Sequence, residues 1–371
     1  MNPITVDDLK KLYIPPQGSH KGQNGRLLVI GGSHLFHAAS LWALTVASRI
    51  VDLVHYSSVP ENNEIVLRAK EEFRNGIVIQ REDLDAYIEE DDCMLIGPGM
   101  ERTNETEELT NRLLKRFPKK QWVIDAGALQ MMDISLIPKN AILTPHHGEF
   151  EMLWSKSQIS NFNDQTISDQ DKVKLFAKEY QCTLLLKGEK DIACSGGDCG
   201  EKYCAPGECR VIEGGNAGMT KGGTGDVLAG LIAALACKND PFLAAIAGSF
   251  INKKAGDALY ARVGPYFNAT DLASEIPGVM KELLMSTQNL FLQFFYELCE
   301  LVGDGDGESG NQDGVEKKRQ EAATRWKIRF DLRFHELLNN VVPGEGCHQA
   351  EAGGGQRDHL LQNFFVQLLL L

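Results

Sequence analysis

The chain has 371 residues, 43% hydrophobic and 24% charged, with a formal net charge of -13. That is enough apolar material for one large domain, or for a medium domain with an appendage. So acidic a chain repels a phosphate backbone, which argues against general nucleic-acid binding, and no apolar stretch reaches the roughly 20 residues of a bilayer span.

The first residues, MNPITVDDLKKLYIPPQ, carry early acids and no apolar run, so they do not read as a signal peptide. The expectation is a cytoplasmic protein with no membrane partner. Arg26 to Ile30 is a continuous apolar run ending in Gly31-Gly32 and reads as a buried strand. A helical pattern follows from about Ala39 to Ile50, then a second strand over Leu53 to Tyr56. Four further short runs read as strands: Cys93 to Ile96, Trp122 to Ile124, Ala141 to Leu143 and Thr183 to Leu186. Short apolar strands separated by helical stretches predict a three-layer α/β/α fold with a mostly parallel central sheet.

The strands share one pattern. They finish in Gly31-Gly32, Gly97-Pro98-Gly99, Asp125-Ala126-Gly127, Thr144-Pro145-His146 and Lys187-Gly188. Ligands of open parallel sheets bind beyond the carboxyl ends of the strands, and small and reactive residues recur at that edge.

Cys194, Cys199, Cys204 and Cys209 recur every fifth residue. The spacing lacks the Cys-x2-Cys pairs of a metal site, and in an extended strand it puts successive side chains on opposite faces. Free thiols are the expected state. A metal site or a disulfide made by a hairpin are the alternatives.

After about Lys281 the character changes. An apolar run from Met285 to Val302 precedes the flexible acidic stretch GDGDGESGNQDG, a charged segment and a glycine-containing apolar terminus. The expected division is a domain over 1–283 and an extension over 284–371, partly helical or disordered, with no catalytic pattern.

The densest chemistry lies between Gly214 and Asp226, where six glycines fall in the twelve residues before the aspartate. A small-residue helix follows. Glycines let a backbone approach phosphate, and the N–H groups and dipole of a helix N-terminus favour an anion. The GK[ST] triplet of a Walker loop is absent. Asp226 stands there instead. Beside an anion site, a carboxylate can accept the proton of an attacking hydroxyl while N–H groups hold the phosphoryl charge.

The segment NAGMTKGGTGDVLAG also resembles the signature of the ADP/ATP-dependent NAD(P)H-hydrate dehydratases, a family with the ribokinase-like fold. Lys21-Gly22-Gln23-Asn24-Gly25-Arg26 through Gly31-Gly32-Ser33 is similar to its opening motif. Gly97-Pro98-Gly99, Asp125 to Leu129, Thr144 to Glu149 and Lys187-Gly188 follow in the family's order, over roughly 1 to 283. The resemblance implies phosphorylation of the ring hydroxyl of hydrated NADH or NADPH by ADP or ATP, then loss of phosphate.

It further implies Asp226 as base and the N–H groups of Gly223, Thr224 and Gly225 as anion hole. Lys187, Gly188, Glu189, Lys190 and Asp191 would lie against the nucleotide, with Gly225, and Asn216 would help position phosphate or magnesium. Ala39, Gly99 and His146, with Asp226, would contact the hydrated dinucleotide. Mg²⁺ is expected, held mainly by the nucleotide phosphates, as is a homo-oligomer. Because the chain starts almost at the dehydratase motifs, a separate epimerase is expected to supply the (S)-epimer. Two positions depart from the family pattern: Ala38-Ala39 replaces the frequent Gly-Ala pair, and His147 replaces the proline of T-P-H-P-G-E.

Two other readings share these residues. A vitamin-precursor kinase of the same superfold would use the same loop and release a phosphorylated product. A non-catalytic nucleotide-binding regulator would have no need of Asp226.

Overall fold

The computed structural model describes residues 2–69, 75–157, 159, 167–196 and 207–285. The apolar run after Met285, the acidic stretch and the remaining extension, with Cys199 and Cys204, lie outside them.

Ten strands form one sheet. They are β1 (Asn2–Pro3), β2 (Arg26–Ile30), β3 (Leu53–Ser57), β4 (Gly76–Val78), β5 (Cys93–Ile96), β6 (Gln121–Ile124), β7 (Ile142–Leu143), β8 (Thr183–Leu186), β9 (Asp191–Ser195) and β10 (Cys209–Ile212). Their order is β1-β10-β9-β8-β7-β6-β5-β2-β3-β4. From β4 to β8 every pairing is parallel. β9 runs antiparallel to both β8 and β10. Chain order reverses direction at β2, which pairs with β3 on one side and β5 on the other. That switch opens a crevice beyond the strand ends.

Side chains alternate across the sheet. Leu27, Val29, Leu95 and Val123 enter one core, and Leu28, Ile30, Met94 and Ile124 the other. Both faces are therefore covered, which explains runs with no polar alternation. Burial of each such aliphatic side chain contributes about 1.5–3 kcal/mol. On the first face lie α2 (His37–Ala47), α9 (Thr224–Ala236), α10 (Pro241–Val263) and α11 (269–285). The second face carries α4 (Leu84–Glu90), α5 (Asn104–Arg116), α6 (Ala126–Met131), α7 (His147–Lys156) and α8 (Asp169–Tyr180). Two further helices, α1 (Val6–Leu9) and α3 (Pro60–Ala69), complete the labelled set.

The three layers and the mostly parallel sheet agree with the sequence reading. The first long helix runs from His37 to Ala47 rather than Ala39 to Ile50. The sequence reading did not anticipate β1, β4, β9 and β10. β1 and β4 are short edge strands, and β9 and β10 are interior strands whose polar and small residues do not form continuous apolar runs.

The cysteine expectation is corrected. Cys194 and Cys209 are not free: they form a disulfide across the β9–β10 pair. In this antiparallel register the two residues stand directly opposite. The same-strand argument from spacing failed because the chain turns back between them. Cys93, Cys182 and Cys237 are buried free thiols. Among the described residues, no group of three or more His, Cys, Asp or Glu is arranged to hold a metal ion, and no helix is long and apolar enough to cross a membrane.

Candidate active site

α9 begins where the glycine loop ends. Gly223 is its N-cap, with φ +95°, and a Cβ there would lie 2.3 Å from the Trp42 ring and 2.8 Å from Ala269. Only glycine fits that backbone at that distance. The close approach sets the helix against α2 and points its first turn toward the strand ends. Asp226 occupies that turn.

The anion-hole residues divide. The N–H groups of Gly223 and Gly225 have no acceptor among the described residues, leaving them available to a ligand. Thr224 is more committed. Its hydroxyl is within hydrogen-bonding distance of the carbonyls of Met219 (2.7 Å) and Lys221 (3.0 Å), and its N–H reaches the Lys221 carbonyl at 3.4 Å.

Lys187 leaves the end of β8 and is not a surface lysine. Its Nζ donates to Asp125 Oδ1 at 2.9 Å, and Asp125, at the end of β6, is 2% exposed and also accepts from the Thr144 hydroxyl at 2.9 Å. Burial opposes the Lys187 ammonium, but the charges of Asp125, Glu149 and Asp226 outweigh it and hold its pKa above the usual value. The ammonium also lies 3.6 Å from where a Cβ on Gly225 would stand, so it faces the first turn of α9. Burial pushes the Asp226 carboxyl up to about 7; Asp125 adds to the rise and Lys187 opposes it. A carboxyl tuned to neutrality is suited to exchange protons at working pH.

Beside this cluster lies a cavity of about 580 Å³. Lys187, Gly188, Glu189, Asn216 and Gly225 line it. Asp191 lines it too, but its carboxylate is committed: it accepts from the Gly188 N–H (2.9 Å) and the Ser249 hydroxyl (2.7 Å), and pairs with Lys253 (3.2 Å). Lys190 instead makes an exposed ion pair with Glu213 at 2.7 Å. Asn216 caps a short turn by accepting from the Gly218 N–H, and its amide donates to Asp257. It therefore shapes the loop wall.

Of the remaining expected contacts, Gly99 and Ala39 lie at the β2–β5 switch, and His146 follows β7, two strands from β5. Gly99 has φ +72°, and a Cβ on it would meet the Phe36 carbonyl at 2.7 Å and the Ala39 methyl at 3.0 Å. Gly99 and Ala39 thus share one wall. His146 caps α7: its Nδ1 accepts from the Glu149 N–H (3.2 Å), while Glu149 accepts from the His146 N–H (2.9 Å). The rest of the ring stays more than half exposed. His147 opens α7, and its Nε2 lies 3.3 Å from the Cβ position of Gly188. Ala38 is exposed, so its methyl does not strain the packing.

Three participants escaped the sequence reading as site residues. Asp125 was visible only as part of a motif. Glu149 is buried beside it and bonded to Gln130. Lys253 of α10 donates to the carbonyls of Gly188 and Glu189 and holds the β8–β9 turn. It carried no motif.

A parallel sheet with a glycine loop, an aspartate in the first helical turn and a neighbouring cavity defines a ribokinase-like protein. A ribokinase-like superfamily protein from Enterococcus faecalis shares the fold, with TM-score 0.63 and 23% identity over 76% of this chain and 96% of that one. So does the ADP/ATP-dependent NAD(P)H-hydrate dehydratase from Bacillus subtilis (TM-score 0.62, 24% identity, 76% and 98% covered). Residues 27–278 match the NAD(P)H-hydrate dehydratase family, and the chain belongs to it. It is 35% identical over 291 residues to an ADP-dependent (S)-NAD(P)H-hydrate dehydratase from Nitrosopumilus maritimus, covering 74% of this chain and 95% of that protein. A bifunctional NAD(P)H-hydrate repair enzyme from Methanocaldococcus jannaschii is 35% identical over 285 residues, covering 74% of this chain and 52% of that protein. The chain thus spans about half the length of that bifunctional relative.

Proposed function

We propose that the protein restores NADH and NADPH from their (S)-hydrates, using ADP or ATP as phosphoryl donor. The observation that carries this is Asp226, raised to about 7 in the first turn of α9, beside free N–H groups and the Lys187–Asp125 pair. In this reading the substrate edge and the nucleotide cavity meet at those groups.

The ring hydroxyl attacks the terminal phosphorus of the nucleotide, and its proton passes to Asp226. A new O–P bond forms as the donor's bridging P–O bond breaks. The N–H groups of Gly223 and Gly225 receive the charge on the transferring phosphoryl oxygens, and Lys187 balances it from the side. The phosphate then leaves with the ring oxygen, and loss of a ring proton restores the double bond. Lys253, with Asp191, holds the Gly188–Glu189 backbone that walls the nucleotide. In this reading Mg²⁺ is held mostly by the nucleotide phosphates. The ion would neutralise phosphate charge there.

Residues 1–283 constitute the functional domain in this reading, and 284–371 are dispensable for turnover. The test mixes protein, hydrated NADPH, Mg²⁺ and ADP or ATP, and follows both nicotinamide absorbance and inorganic phosphate. Stoichiometric recovery of both supports the dehydratase. A stable phosphorylated product without recovered absorbance would indicate a kinase instead.

A further inference from the structure

Away from the nucleotide cavity, a second pocket of about 70 Å³ opens at the carboxyl end of β2. Gly32, Ser33 and Met100 line one side, and Thr103, Glu105 and Thr106 the other. Thr103 is the N-cap of α5, a helix of 13 residues, so the pocket faces a helix N-terminus, where the dipole and unpaired N–H groups favour an anion.

A second feature reaches the same space independently. Arg81 lines the pocket, and its buried Nη1 has no hydrogen-bond partner. Burial pulls this guanidinium down to about 10, with Glu105 and Tyr56 opposing, so it stays charged at neutral pH. An unmatched buried donor is destabilising, and more so when it is charged. Such a group is a candidate for a partner brought by a ligand.

The pocket adjoins the expected dinucleotide edge. The Gly32 N–H donates to the Pro98 carbonyl at 2.7 Å, and its Cα lies 3.2 Å from the Cβ position of Gly99. The volume suits a single phosphoryl group rather than a base. Glu101 and Glu105 also line the pocket, and the Glu105 charge acts on Arg81 without a hydrogen bond to its Nη1. Their charge disfavours a doubly charged phosphomonoester more than a singly charged phosphodiester.

We propose that Arg81 and the N-terminus of α5 form an anion subsite that receives a phosphate oxygen of the dinucleotide substrate. This rests on the dehydratase reading for the identity of the ligand. The bridging pyrophosphate is the favoured source, with the ribose 2′-phosphate of NADPH as the other.

The test is calorimetric titration of the full chain, saturated with ADP, by NADH and by NADPH. Wild type, Arg81→Gln and Arg81→Lys are compared. Loss of a charge-assisted hydrogen bond predicts binding weakened by about tenfold or more in Arg81→Gln, partly recovered in Arg81→Lys. An unchanged ADP affinity shows that each variant is folded. Equal loss with both dinucleotides assigns the site to the pyrophosphate, and loss with NADPH alone to the ribose phosphate. Unchanged affinity for both, or a wild type that binds neither, overturns the subsite. Failure of the dehydratase reading shows separately, as a wild type that binds dinucleotide and does not turn over the hydrate.

Discussion

Lys187 and Asp125, 62 residues apart in sequence, meet at 2.9 Å beside Asp226. Each comes from a strand end, and the parallel order of β6, β7 and β8 brings them together. The pair gives the buried site a fixed cation whose position does not depend on bound nucleotide. Removing one member leaves the other buried without its partner. Asp125→Ala or Lys187→Met should therefore destabilise the fold by about 3–5 kcal/mol, read as a lowered urea midpoint with unchanged slope. A change below about 0.5 kcal/mol would show that solvent already screens the pair.

Asp226→Asn should abolish turnover while ADP binding persists, since the amide cannot accept the hydroxyl proton. It should also stabilise the protein. The folded pKa of about 7 lies above the ordinary 3.8, so ionising Asp226 costs stability as pH rises through that window. The gap in Tm between variant and wild type should widen between about pH 4 and pH 7 and level off above that. A constant gap would mean that the carboxyl is not desolvated.

The pH dependence of turnover follows from the same group. As a base, Asp226 acts when deprotonated, so kcat should rise with pH and level off above about 7. The Asp125 charge raises that inflection, so a folded Asp125→Asn variant should shift it to lower pH. An inflection that stays in place would separate Asp125 from the titration of the base.

Gly223→Ala should cost about 1–3 kcal/mol from overpacking against Trp42, with added backbone strain at φ +95°. Thermal unfolding measures it. A variant as stable as wild type would require α9 to sit farther from α2.

The Cys194–Cys209 disulfide has a sequence separation of 15. A closed loop of that size is worth about 3 kcal/mol by chain entropy, so reduction should lower Tm, and Cys194→Ser should make Tm insensitive to reductant.

The strand ends were legible because buried parallel strands are continuous apolar runs closed by Gly, Asp, His or Lys. The Gly222 to Asp226 loop was legible because its glycine density has few purely structural uses. What remained hidden depends on distance in three dimensions. Lys253 sits in α10, a helix that is apolar on almost every side, so nothing local marks it as a brace. The cysteine pairing depends on a turn that strand periodicity cannot register. Arg81 occupies a three-residue helical turn, and its lack of a partner exists only once β2 and α5 are assembled. His146 was identified by motif, and its capping of α7 with Glu149 is a local i, i+3 contact that the motif reading did not draw.

The central claim is that phosphate departs with the oxygen of the substrate's ring hydroxyl. It is tested by a single turnover of hydrated NADPH carrying isotopically heavy oxygen in that hydroxyl, with unlabelled ADP or ATP. The mechanism predicts that the label appears in the released inorganic phosphate, in step with recovery of nicotinamide absorbance. Label found in water, with the phosphate unlabelled, would contradict it.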